Sequence, residues 1–120
     1  MSATNGVYFV HTSRMMLMDR KYRLKGMDFI WHVEKNRRNA RDHHGVTFEQ
    51  AAEAFFDPFM RVRDASRHDE TRDALVGRDN QSSLLVVVHM EIEGDTVRIL
   101  PAWPADRSDI AFYNEGDSNP

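Results

Sequence analysis

The chain has 120 residues, of which 41% are hydrophobic, enough for one small domain with a core that needs no staples. It has no cysteine, which excludes disulfides and thiolate chemistry and suits a reducing compartment. Its net charge of -3 excludes an overall pull toward a polyanion and makes the distribution of charge more informative than the sum. Five of the basic residues fall between Arg14 and Lys25, against the single acid Asp19, so the remainder is clearly acidic. No apolar run is long enough to span a bilayer. The first residues lack the uninterrupted apolar stretch of a secretory signal. Cytoplasm is the expected location.

Residues 1–26 read as an N-terminal extension without a sustained period, mobile over most of its length, and Met27 is a second candidate start. The alternation of Met27, Phe29 and Trp31 predicts a first strand with one buried face. A very polar helix follows from Val33 to Asp42, where only Val33 and Ala40 are apolar. Such a helix is either solvated or lines a site. After a His43-His44-Gly45 corner, Thr47 and Gln50 form a capping box. Phe48, Ala51, Ala52, Phe55 and Phe56 then make one apolar face of a second helix, which Asp57-Pro58 ends.

Phe59 to Arg63 and Arg72 to Arg78 read as strands with arginines on one side. Leu84 to Ile92 is the most hydrophobic segment and the expected central strand. Gly94-Asp95 suits a two-residue hairpin. Pairing Glu93 with Thr96 then puts Ile92, Met90 and Val88 opposite Val97, Ile99 and Pro101, and Glu91 opposite Arg98. Pro101 and Pro104 confine the last strand to an edge or its end. Asp106 to Glu115 reads as a closing helix, and residues 117–120 as a tail. The expected class is α+β, with two N-terminal helices packed on an antiparallel sheet and a short C-terminal helix.

An ordered set of residues resembles the BrnT family of ribonuclease toxins. The set is Trp31, Lys35, Asn39, His44-Gly45-Val46, Phe48-Glu49-Gln50-Ala51 and Asp57-Pro58. In the later half it continues with Glu70-Thr71-Arg72, Gly77, Leu85 to His89, Arg98-Ile99 and Tyr113. The match covers residues 27–116, the expected domain. His32 stands where the family usually has Asp, His43 at a usual Lys position, and Trp103 where the family carries Arg. The resemblance implies a RelE-like fold and metal-independent cleavage of RNA. It also implies neutralisation by a small BrnA-type ribbon-helix-helix antitoxin, through which DNA is met only indirectly. No membrane partner and no cofactor are implied.

Metal-free RNA cleavage needs a base for the 2′-hydroxyl, an acid for the leaving 5′-oxygen, and cations around the phosphorane. Lys35, Asn39 and His43 lie at four-residue steps along one helix face. With that face over the sheet, Lys35 meets phosphate, Asn39 meets RNA, and His43 or His44 moves protons. Arg72 and His89 complete the candidate catalytic set. Arg61, Arg63, Arg78, Arg98 and Tyr113 are candidate RNA contacts. The plainer reading gives a solvated helix with a Glu34–Arg38 pair and a histidine at its end. It makes His89 half-buried, pairs Arg98 with Glu91 across strands, sets the other arginines on a solvated face, and uses Tyr113 and Trp103 to close the core. Six histidines invite a metal reading, but no His-x3-His or His-Glu-x-x-His spacing occurs. Two functions follow: an endoribonuclease toxin, or a catalytically degenerate homologue that binds antitoxin in a DNA-bound repressor complex.

Overall fold

A computed structural model describes residues 18–118. The elements run β1 (Asp19–Leu24), β2 (Met27–His32), α1 (Val33–Asp42), α2 (Phe48–Ala54), β3 (Arg61–Asp64), β4 (Asp73–Arg78), β5 (Leu84–Ile92), β6 (Thr96–Pro104) and α3 (Arg107–Ser118). The six strands form one sheet in the order β1-β2-β6-β5-β4-β3.

This architecture corrects the expectation of two N-terminal helices on an antiparallel sheet. A β-hairpin precedes the helices, and the sheet is mixed. β2 runs parallel to β6, pairing Asp28 with Thr96, Phe29 with Val97 and Ile30 with Arg98. A parallel neighbour requires a long crossover, and here everything from α1 to β5 supplies it. The alternation within each strand carries no information about that long-range pairing. Most of the expected mobile extension, residues 1–17, lies outside the described residues.

β1 was not foreseen. It pairs antiparallel with β2 from Asp19↔His32 to Leu24↔Met27, joined by Lys25 and Gly26 at φ 50 and 83. Two successive left-handed residues make the tight turn whose twist matches a hairpin. Only Tyr22 and Leu24 of this strand are partly sheltered, so its two arginines and one lysine hide a weak alternation.

The sheet buries both faces. On one side Phe29, Trp31, Leu75, Leu85, Val87, Val97 and Ile99 pack with Phe48, Ala51, Ala52 and Ala54 of α2. On the other, Ala74, Val76, Val86, Val88 and Leu100 pack with Tyr113 of α3. The period of two in each strand explains the division. Gly77 lets α2 approach closely, since a Cβ there would meet the Ala54 carbonyl oxygen at 2.7 Å. The expected capping box is present: Gln50 N–H donates to Thr47 Oγ1 at 3.1 Å, and Thr47 N–H to Gln50 Oε1 at 2.9 Å. α2 ends at Ala54, and Phe55 and Phe56 continue its packing from a turn.

The expected β5–β6 register is out by one at the hairpin. Ile92 pairs with Thr96, Met90 with Arg98 and His89 with Ile99. The turn therefore holds Glu93, Gly94 and Asp95, with Gly94 and Asp95 at φ 83 and 60. A bulge opposite Val88 absorbs the offset, and Val87 pairs with Ala102. Leu100 and Pro101 together oppose one residue there, a position that tolerates a proline without an amide hydrogen.

Candidate active site

The polar composition of α1 has a structural cause. His32 caps it, its Nδ1 accepting from Glu34 N–H at 3.2 Å, so this histidine does what an aspartate does at the same place. Asn36 and Asn39 face inward and replace apolar packing with hydrogen bonds. Asn36 Oδ1 accepts from Phe48 N–H at 2.8 Å, and its amide donates to Glu49 at 2.9 Å. Asn39 is buried. Its amide donates to the carbonyls of Val46 (3.0 Å) and Ala102 (2.7 Å), and its Oδ1 accepts from Ala102 N–H (3.0 Å). This side chain clamps α1 to β6 just past the bulge. The helix ends at His43, whose N–H donates to Asn39 O, and the chain reverses through His44 and Gly45 at φ 57 and 81.

With Asn39 turned inward, its neighbours on the same face line a cleft of about 340 Å³. Lys35, Arg38, Asn39, Asp42 and His43 come from α1 and its cap, Leu100 and Pro101 from the bulge, and Arg72 from the approach to β4; Phe48 is also in the lining. Positions 35, 38, 39 and 42 are i, i+3, i+4 and i+7, one helix face. Three cations and one carboxylate thus converge in a chain that is acidic overall.

Arg72 is held at the cleft by Glu70, which accepts from its Nη2 at 2.9 Å. The Arg72 hydrogen bond, with the charges of Arg72 and Lys35 adding to it, holds the Glu70 carboxyl below its ordinary value despite some loss of solvation. Arg72 Nε is buried and meets no acceptor among the described residues. A partly exposed guanidinium that keeps an unmatched donor is suited to an anion.

Of the candidate catalytic residues, Lys35, His43 and Arg72 share the cleft. His44 instead lines an adjoining groove with His43, Trp103, Pro104 and Ala105. His89 lies in the core, with Nδ1 at 3.1 Å from Val87 O and its ring 4.8 Å from that of Phe55.

The candidate RNA contacts divide similarly. Asn39 reaches the cleft, but its amide is committed to backbone. Arg61, Arg63, Arg78 and Tyr113 gather around α3. Arg63 binds the buried Asp109 carboxylate at 2.6 Å, and Arg61 bonds the Phe112 carbonyl. Both guanidiniums lie over the Phe112 ring, and that of Arg78 lies over Tyr113. Tyr113 donates to Asp57 Oδ2 at 2.7 Å. Arg98 pairs with Asp19 at 3.0 Å rather than with Glu91, because the register shift moves it opposite Met90. Glu34 pairs with Arg37 at 2.8 Å, not Arg38, which leaves Arg38 at the cleft. Arg38, Asp42 and Glu70 are site residues the sequence reading missed. The first two were legible from their spacing to Lys35.

A family model described as the ribonuclease toxin BrnT of type II toxin-antitoxin systems matches residues 31–109, well over half of the chain. The chain belongs to the BrnT family. No curated protein matches it closely enough to count as a relative. The BrnT match begins at Trp31 and so takes in α1, the whole cleft and its Glu70–Arg72 approach, while β1 lies outside it. Membership places the chain among the ribonuclease toxins of type II toxin-antitoxin systems and implies an antitoxin partner. Among the described residues, no helix is long and apolar enough to cross a membrane. Nor do three or more His, Asp or Glu side chains come together as a metal-ligand group among them.

Proposed function

We propose that this BrnT protein cleaves RNA without a metal ion, in the cleft between α1 and Arg72. The observation that carries this reading is the convergence of Lys35, Arg38, Arg72 and His43 on one cavity. His43 takes the proton from a ribose 2′-hydroxyl as that oxygen attacks the adjacent phosphorus. The bond from phosphorus to the 5′-oxygen breaks, leaving a 2′,3′-cyclic phosphate. Lys35 supplies a proton to the departing oxygen, and Arg38 and Arg72 balance the charge gathering on the phosphorane. Glu70 holds Arg72 until the phosphate arrives. A BrnA-type ribbon-helix-helix antitoxin neutralises the toxin in the cytoplasm, and DNA is reached only through that partner. Induction in bacterial cells tests the reading. Soluble wild-type protein should arrest growth and fragment RNA, and a K35A/R72A variant should do neither. Intact RNA at confirmed soluble expression overturns it.

The resemblance favours a second reading. It sets Trp103 where the family carries Arg, which fits a toxin that has lost catalysis and acts as an antitoxin-binding module in a repressor complex. If W103R gains RNA cleavage over an inert wild type, this reading holds. Cleavage by the wild type removes it.

A further inference from the structure

We infer that the groove beside the cleft is a nucleobase subsite, in which Trp103 stacks on the base next to the phosphate held by Lys35 and Arg72. The inference rests on the proposed function and deepens it. The groove measures about 650 Å³ and is lined by His43, His44, Trp103, Pro104 and Ala105. Its surface is therefore an indole, a pyrrolidine ring, a methyl group and two imidazoles: flat, mostly carbon, and ringed by hydrogen-bonding nitrogens. Such a lining suits a nucleobase, which offers a π-face for stacking and polar edges for the rim.

Three further observations point the same way. First, His43 belongs to both cavities, so groove and cleft adjoin, as base and phosphate do along a strand. Second, Trp103 is half-buried, anchored against the cluster of Val86, Val88 and Tyr113 and paired through its backbone with Val86. Its ring is thus fixed before any ligand arrives, which lowers the ordering cost of binding. Third, the rings of His43 and Trp103 lie 6.0 Å apart and tilted by 43°. A base on Trp103 therefore sits beside the imidazole proposed to move the proton. The cations draw in any polyanion. The groove discriminates a strand with an exposed base from a bare phosphate chain.

The test uses fluorescence, because the chain has only two tryptophans and Trp31 is fully buried. Two probes are titrated into the full chain: a 2′-O-methyl RNA tetranucleotide, which cannot be cleaved, and the abasic tetramer with the same phosphates. The base-bearing probe is expected to quench wild-type emission, the abasic probe to bind without quenching, and W103F to show no quenching. Stacking on an aromatic ring implies that W103A binds the base-bearing probe about tenfold more weakly or worse, while its abasic affinity is unchanged. H44N accepts the left-handed backbone at that position and removes the rim imidazole without touching the packed indole. It should weaken base-bearing binding alone, which keeps the proposal testable should W103A fold poorly. Binding of the tetranucleotide without quenching, or equal affinities in wild type, W103A and H44N, overturns the subsite and leaves the phosphate cleft intact. No binding of either probe overturns both.

Discussion

Replacing Asn39 by alanine removes the clamp that sets α1, and with it Lys35 and His43, against the sheet. Three hydrogen bonds disappear, to Val46 O, Ala102 O and Ala102 N–H. All three backbone groups belong to buried residues. An orphaned buried donor costs about 1–3 kcal/mol. The two carbonyls cost less, because each keeps a second lone pair for other partners. N39A should therefore lose about 3 kcal/mol, a large part of the 5–15 kcal/mol typical of a domain. For a domain near 100 residues this lowers Tm by about 10–20 °C. Urea unfolding followed by far-UV circular dichroism should show the midpoint fall with the slope unchanged. N39D keeps the shape but puts a carboxylate against two carbonyl oxygens. It should be at least as unstable at neutral pH and recover partly on acidification, when the carboxyl becomes a donor. A loss below about 1 kcal/mol in N39A, or no pH dependence in N39D, refutes the clamp.

Two more outcomes follow from the ion pairs and shifted groups. E70Q removes the charge holding Arg72, so binding of inorganic phosphate should tighten severalfold, measured by calorimetry, and an unchanged affinity would show that Arg72 does not face the anion. Burial pushes the Asp57 carboxyl up, but hydrogen bonds from Phe59 N–H, Tyr113 and Arg78 N–H outweigh it and hold the group below its ordinary value. A depressed carboxyl stabilises the fold above its unfolded pKa and loses that contribution as pH falls through the folded value. Burial, and then the bond to Asp57, push Tyr113 up, so its contribution is present below about pH 10 and is lost above it. Wild type should lose stability on both flanks, below about pH 4 and above about pH 10, more steeply than D57N on the acid side and Y113F on the alkaline side.

Much of the fold was legible wherever a local rule dominates. The Thr47–Gln50 capping box, the strand from Leu84 to Ile92 and the corner at Gly45 all express short-range chemistry. Pairing between distant strands was not legible. β6 lies beside β2 because of a crossover more than sixty residues long, and no local pattern encodes it. The hairpin register was misjudged for a related reason: a bulge at Leu100-Pro101 corrects the offset, so a match further along the strand is no guide to the turn. At the site, Lys35, Asn39 and His43, spaced at four-residue steps, line one cleft, with His43 at the cap just past the helix. That spacing cannot say which members turn inward, and Asn39 does. The arginines of β3 look free in sequence because their acceptors, the Phe112 carbonyl for Arg61 and Asp109 for Arg63, lie more than forty residues away.

The central claim is that His43, Lys35 and Arg72 act together on one phosphodiester. Single-turnover cleavage of a short single-stranded RNA with a chelator present tests it most directly. Wild type should cut. H43A should fall about 10²–10⁴-fold in rate, and R72A about 10²–10³-fold. Undiminished cleavage by an H43A/R72A double variant, or cleavage that stops with the chelator and returns with a divalent ion, contradicts the account.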